Sequence, residues 1–180
     1  MRILKENTLA LIIDVQDRLF PHINENKLLE KNLLLLITGL KVLEVPVIYT
    51  EQYPKGLGHT IPSINELLVS YPMVEKTTFS CCDEPLFMKS VGDYGKQNII
   101  IAGIECHVCV LQTVLDLLQR GISPVVIEDC VSSRKPNDRK IALKRMRQEG
   151  AVVSTTESIL FELARVSGTE QFKAISKLVK

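Results

Sequence analysis

Residues 98–103 read Asn98-Ile99-Ile100-Ile101-Ala102-Gly103, an apolar run without polar alternation. A strand buried on both faces has this pattern, because neither face meets water. Residues 107–119 then read as a helix, closed by Gly121, the residue type that ends helices in the left-handed conformation. Pro124-Val125-Val126-Ile127-Glu128-Asp129 is a second strand of the same kind. Residues 137–149 give a second helix with Gly150 after it, and Ala151-Val152-Val153-Ser154 a third strand. Helical stretches at 156–166 and 171–179 complete this half. The first half repeats the alternation less regularly. Thr8-Leu9-Ala10-Leu11-Ile12-Ile13-Asp14 is a strand, and residues 27–45 form a helix with Leu29, Leu33, Leu36, Leu40 and Leu43 at helical spacing. Pro46 opens the strand Pro46-Val47-Ile48-Tyr49-Thr50, a position proline tolerates. A loop rich in Gly and Pro over 52–62, a short helix at 64–69, a weaker strand Met73-Val74-Glu75-Lys76 and a helix at 85–91 follow. Strands alternating with helices at this pitch predict a three-layer α/β/α domain, its parallel sheet covered on both faces.

The 180 residues suit one domain, 1–180, since no linker, repeat or low-complexity segment divides them. A 46% hydrophobic and 24% charged composition is that of a globular protein. Lys and Arg number 22 against 21 acids, so no excess of charge attracts a polyanion; with no Trp, stacking platforms are scarce as well. Nucleic acid is therefore not an expected partner. The longest strongly apolar run, 33–37, is far below the roughly 20 residues of a membrane span. Met1-Arg2-Ile3-Leu4-Lys5-Glu6-Asn7 lacks the apolar segment of a secretory signal, and five cysteines make no even framework. These features predict a cytoplasmic protein with free thiols.

In a sheet of this kind ligands sit at the carboxyl ends of the strands. Asp14 stands at the end of the first strand, Lys76 at the end of the third, and Glu105-Cys106-His107-Val108-Cys109 follows the fourth. Asp14 is a candidate proton shuttle, or an acid that caps its own loop in an Asx-turn. Lys76 is a candidate buried cation, or an ordinary solvated lysine. Cys109 lies at the start of a helix, whose unpaired N–H groups and positive dipole end lower a thiol pKa and suit an oxyanion hole. It reads equally as an inert buried cysteine. Cys106 and Cys109 also form Cys-x-x-Cys, a weaker redox signal because it follows three strand–helix units, later than such a motif usually stands, and a weaker zinc signal because adjacent Cys81 and Cys82 supply no second pair at metal spacing. His22, His59 and His107 are scattered, so no metal site is expected. The basic residues Arg134, Lys135, Arg139, Lys140, Lys144, Arg145 and Arg147 include Lys140, Lys144 and Arg147 at i, i+4, i+7, the spacing of a solvated helix face.

Several segments together resemble the isochorismatase-like cysteine hydrolases. They are Leu11-Ile12-Ile13-Asp14-Val15-Gln16, Glu75-Lys76-Thr77-Thr78-Phe79-Ser80, Ala102-Gly103-Ile104-Glu105-Cys106-His107-Val108-Cys109-Val110-Leu111-Gln112-Thr113 and Glu128-Asp129-Cys130-Val131-Ser132-Ser133-Arg134. Thr50-Glu51-Gln52-Tyr53-Pro54-Lys55-Gly56-Leu57-Gly58, with Phe172-Lys173-Ala174-Ile175, is most similar to the isochorismatase domain-containing subgroup. The resemblance implies a six-stranded parallel sheet of Rossmann-like topology with the first and fourth strands adjacent. It implies a catalytic triad of Asp14, Lys76 and Cys109, a cis bond between Ile104 and Glu105, and an oxyanion hole of the Glu105 and Cys109 N–H groups. The implied reaction is hydrolysis of a small amide, imide or related ester-like compound through a thioester, with no cofactor. The alternative is a non-catalytic interaction protein on the same scaffold. Nicotinamidases of this superfamily carry an Asp/His metal motif after the second strand, a place held here by Glu51-Gln52-Tyr53-Pro54, which argues against nicotinamide as the substrate. Glu51, Gln52, Tyr53 and Phe79 are candidate pocket residues, and Cys106 a candidate redox partner of Cys109. Leu34 and Leu35 widen the apolar stripe of the first helix, which, with the oligomeric habit of relatives, predicts a homo-oligomer.

Overall fold

The computed structural model describes residues 2–180. Its six strands are β1 (Thr8–Ile13), β2 (Val47–Gln52), β3 (Met73–Lys76), β4 (Asn98–Ile104), β5 (Ser123–Ser132) and β6 (Val152–Ser154). They form one parallel sheet in the order β3-β2-β1-β4-β5-β6. The chain builds outward from β1 to β3, then returns to lay β4 against the free side of β1. The reversal of direction opens a crevice between β1 and β4 at their carboxyl ends.

Every residue of β1 and β4 is buried, as a sheet covered on both faces requires. Alternation along the strands decides which core each side chain joins. Ala10, Ile12, Ile100, Ala102 and Ile104 face α1 (Asn26–Val42), α3 (Pro62–Leu68), α7 (Thr156–Ala164) and α8 (Glu170–Leu178). Leu9, Leu11, Ile13, Ile99 and Ile101 face α4 (Pro85–Tyr94), α5 (Leu111–Gln119) and α6 (Pro136–Gln148), where Phe87, Leu117 and Met146 close the second core. A further short helix, α2 (Pro54–Leu57), lies in the segment read from sequence as loop; Pro54 starts it and Gly58 stops it. Helix α4 runs on through Gly92 to Tyr94 and ends at Gly95, with φ of 60°.

β5 extends three residues beyond its expected end. A register shift between Ile101 and Gly103 lets Val131 and Ser132 pair with Gly103 and Ile104. Leu34 and Leu35 are half-buried against the α1-side core, so packing within the subunit accounts for the wide stripe that had suggested an interface. Lys140, Lys144 and Arg147 are exposed, as a solvated helix face requires. Arg139 departs from that face: its guanidinium donates to the carbonyl oxygens of Val131, at 2.8 Å, and Glu128, tying α6 to the end of β5. Among the described residues no helix is long and apolar enough to cross a membrane.

Gly103 sits opposite Ile13 in the β1–β4 ladder with φ of +121°, and a Cβ there would collide with the Ile13 backbone. Overpacking against backbone and a disallowed φ each cost of order 1–3 kcal/mol. Gly103→Ala should therefore lower unfolding free energy by about 3 kcal/mol in a urea titration; a midpoint equal to wild type would contradict this close approach.

Candidate active site

The tips of β1, β2 and β3 converge on one buried carboxylate. Asp14 leaves β1 with φ of 51°, a left-handed conformation that Asp accepts more readily than most residues. Its Oδ1 accepts from the Thr50 hydroxyl at 2.7 Å and its Oδ2 from Lys76 Nζ at 2.6 Å. Lys76 is not the solvated lysine its type suggests: it is 2% exposed and closes β3 beside Gln52 of β2. Its ammonium also donates to Gln52 Oε1 at 2.7 Å and to the carbonyl oxygens of Thr78 and Phe79 at 3.3 and 3.4 Å. Burial alone pulls the Lys76 pKa down, but the charge of Asp14 and the hydrogen bond to it outweigh burial and the net direction is up. Gln16, fully buried, fixes the other side of this cluster by donating to the carbonyls of Gln52 and Gly58 and accepting from the Gln52 N–H.

Cys109 faces this pair from across the crevice. The helix expected after β4 opens as a π turn, Cys106–Val110, before continuing as α5. Cys109 is 7% exposed. Burial pushes its thiol well above the ordinary range, the charge of Asp14 pushes it further, and Lys76 offsets part of the rise. The sequence-based expectation of a lowered pKa is thus reversed. A helix end supplies about half a unit of positive charge, whereas a desolvated thiol beside a full carboxylate meets two larger opposing effects. The net direction favours the protonated form of the thiol.

The Cys-x-x-Cys spacing does not present two thiols to the same space. Cys106 packs into the core beneath α5 and α6, its sulfur 3.9 Å from the carbonyl of Arg139, and burial pushes it up to about 12. The thiol that shares the electrostatic surroundings of Cys109 is Cys81, which is coupled to Lys76 and Asp14 and is pushed by burial up to about 12. No spacing rule pointed to it, since Cys81 joins the site only through the loop after β3.

A cleft of about 270 Å³ opens over the sulfur, with Asp14 and Cys109 at its floor. Leu19, Leu57, Phe79 and Val108 give it an apolar wall, and Gln52, Glu105 and Arg134 its polar edge. Of the four candidate pocket residues, Gln52 and Phe79 line this cleft. Glu51 does not, because alternation along β2 turns it to the opposite face from Gln52. Both its oxygens are taken there, one by the N–H and hydroxyl of Thr60 at 2.7 and 2.8 Å, the other by His59 Nδ1 at 2.9 Å. Burial raises the Glu51 pKa, but these donors and His59 more than compensate, and the net direction is down. Tyr53 stands outside over a separate surface hollow with Pro54, Lys55 and Glu75.

The peptide bond between Ile104 and Glu105 is cis. The nearly buried Glu105 carboxylate accepts from the Arg134 backbone N–H at 3.0 Å and from Arg134 Nε at 3.1 and 3.2 Å. Arg134 had been read within a basic cluster and as the end of a segment that carries the resemblance, without a place in the cleft. Its place just beyond the carboxyl end of β5 was the signal available for assigning it to the cleft. Among the described residues no cluster of three or more His, Cys, Asp or Glu has the arrangement of a metal site.

Comparison with known proteins gives a consistent set of relatives. The isochorismatase domain family model matches residues 8–158. Isochorismatase family protein 1B of Dictyostelium discoideum is 40% identical over 184 residues, spanning 99% of this chain and 89% of that protein. A Caenorhabditis elegans structure described as MAR1 ribonuclease superposes with a TM-score of 0.94 at 40% identity, covering 99% of this chain and 92% of the other. The YcaC gene product of Escherichia coli, described as an octameric hydrolase of unknown specificity, gives a TM-score of 0.94 at 26% identity, covering 99% and 89%.

The thiols carry a pH prediction. Burial holds all five, Cys81, Cys82, Cys106, Cys109 and Cys130, above the ordinary value of 9.0. A folded-state pKa above the unfolded one gives stability that is intact below the unfolded value and lost as pH rises past it, because the unfolded chain then binds fewer protons. Under reducing conditions the unfolding free energy should fall as pH climbs above about 9, by up to roughly 1.4 kcal/mol per pH unit for each thiol. A flat profile through that range would mean the thiols are solvated.

Proposed function

The chain belongs to the isochorismatase family, and we propose that it is a cysteine hydrolase in which Asp14, Lys76 and Cys109 act as one unit on a small amide, imide or related acyl compound. The observation that carries this reading is the buried Lys76–Asp14 pair beside a thiol at the floor of a cleft. Isolated ionised groups are expensive to bury, and here the pair stands where a nucleophile must lose a proton and a leaving group must gain one.

In the proposed cycle Asp14 takes the Cys109 proton as sulfur attacks the carbonyl carbon. The N–H groups of Glu105 and Cys109 receive the negative charge that develops on oxygen. The intermediate collapses by breaking the C–N bond, and Asp14 returns its proton to the departing nitrogen, leaving a thioester. Asp14 then draws a proton from water as the water attacks that thioester; the acid product leaves, and the proton goes back to sulfur. Lys76 stays charged throughout and makes the alternation of charge between sulfur and carboxylate tolerable. A thiol protonated at rest suits this scheme, since the proton moves only when an electrophile is in place.

The description of the C. elegans relative as a ribonuclease makes RNA cleavage the competing reading. Arg134, Lys135, Lys140, Lys144 and Arg147 would be its support here, all of them exposed. The same surface carries acids, however: Arg147 pairs with Glu128 at 3.4 Å and Arg145 with Glu149 at 3.7 Å. Such a mixed surface is a poor track for a phosphate backbone. A non-catalytic interaction protein would have no use for a buried proton-transfer set.

Asp14→Asn separates the two roles of the carboxylate. Turnover on any substrate found should fall by roughly 10²–10⁴-fold, the usual contribution of a general base. The pH midpoint for alkylation of Cys109 by iodoacetamide should move down, because the charge that opposes ionisation has gone while Lys76 remains. An upward or absent shift would remove Asp14 from contact with the thiol, and RNA cleavage unaffected by Cys109→Ala would displace the acyl chemistry. We propose also that the chain is a homo-oligomer, as the E. coli relative is described to be. Light scattering should give a multiple of the 20.2 kDa subunit mass, and the subunit mass itself would refute this.

A further inference from the structure

The segment that seats the Lys76 ammonium on the carbonyl oxygens of Thr78 and Phe79, residues 77–80, belongs to no helix or strand. Side chains hold it instead. At its start Gln52 Nε2 donates to the carbonyl of Thr77 at 2.8 Å, and within it the Thr78 hydroxyl donates to the carbonyl of Ser80 at 2.8 Å. Its far end is tied to α5. The Ser80 hydroxyl donates to Asp116 Oδ2 at 2.5 Å, and the Cys81 N–H donates to Thr113 Oγ1 at 2.9 Å. Ser80 and Thr113 are buried and Asp116 is half-buried, so these bonds form away from bulk water. A hydroxyl that donates to a carboxylate makes the short, charge-assisted kind of bond. Cys109, Thr113 and Asp116 stand at i, i+4 and i+7, which places all three near one face of the same helical run. Asp116 also lies in the last turn of α5, where an acid opposes the negative end of the helix dipole. The stability of α5 therefore does not account for it.

We infer that Asp116 is a positioning residue: through Ser80 it fixes the carbonyl oxygens that seat Lys76, so that the helix carrying Cys109 also sets where the ammonium stands relative to the sulfur. This rests on the reading of Cys109 as the nucleophile. Lys76 favours ionisation of that thiol against burial, the Asp14 charge and Cys81. An ammonium held less closely favours it less, so loosening the Ser80–Asp116 link makes the thiolate harder to form. Removal of the Asp116 charge by itself has the opposite effect, since it leaves one negative charge fewer around the sulfur.

The two effects differ in sign, and alkylation of Cys109 by iodoacetamide separates them without knowledge of the substrate. The reaction forms an S–CH2 bond and releases iodide, and its rate at the Cys109 peptide is followed by mass spectrometry across the alkaline range in which each variant stays folded. The pH midpoint reports ionisation, whereas a change in access to the sulfur alters only the limiting rate. The midpoint should rise by about half a pH unit in Asp116→Ala and in Ser80→Ala, which removes no charge, a shift on the scale of one modest hydrogen bond. Asp116→Asn keeps an acceptor for the Ser80 hydroxyl and should rise less than Asp116→Ala. An unchanged or lowered midpoint in either alanine variant, or equal rises in Asp116→Asn and Asp116→Ala, overturns the inference and leaves the nucleophile standing. If one alanine variant fails to fold, the other decides by the same criterion. Folded wild type whose Cys109 resists alkylation, while the unfolded chain is modified there, overturns both the nucleophile and the inference built on it.

Discussion

An ammonium and a carboxylate 2.6 Å apart, both almost without solvent, are the constraint on which this end of the molecule is organised. Each ion forfeits several kcal/mol of hydration on burial, and their attraction repays that only when the remaining donors and lone pairs are satisfied. The fold provides this from three strands. β1 brings Asp14, β2 brings the Thr50 hydroxyl and the Gln52 amide, and β3 ends on Lys76 itself. The chain after β3 then wraps the ammonium with two carbonyl oxygens. Loss of either ion would leave the other charged, buried and unmatched, so the stability of the strand tips and the chemistry of the crevice share one cause.

The same pair acts on Cys109 in two senses. Asp14 opposes ionisation of the thiol and Lys76 favours it, within a burial effect larger than either. A cysteine so placed differs from one that owes its reactivity to a permanently low pKa. In the proposed cycle its proton leaves only when an acceptor and an electrophile are present together, and one carboxylate provides the acceptor in both half-reactions.

Much of this was legible in the residues. Unbroken apolar runs located the strands, because a strand covered on both faces has no polar side to show. The carboxyl ends of those strands then singled out Asp14, Lys76 and Cys109 before their spatial relation was known. Legibility failed where a choice depended on contacts distant in sequence. At the end of β2, alternation sends Glu51 and Gln52 to opposite faces without saying which faces the crevice; the Thr50–Asp14 hydrogen bond sets that phase. In the Cys-x-x-Cys segment, a π turn in place of an α turn changes the angle between residues three apart, and only one thiol reaches the cleft. Cys81 enters from a single 3-10 turn and Arg134 from a loop, neither of which any periodicity orients.

The sequence alone determined the alternation of strands and helices, the two-sided burial of the sheet, and the identity of the ionisable residues at the strand tips. These follow from local pattern, since backbone pairing and the removal of apolar surface from water act on whichever residues are neighbours along an element. Tertiary structure decided the rest: which strand lies beside β1, which thiol lies beside which carboxylate, and which arginine edges the cleft. Those outcomes depend on electrostatic and packing interactions among groups as much as 95 residues apart, as Asp14 and Cys109 are, and such interactions have no signature until the sheet has brought the groups together.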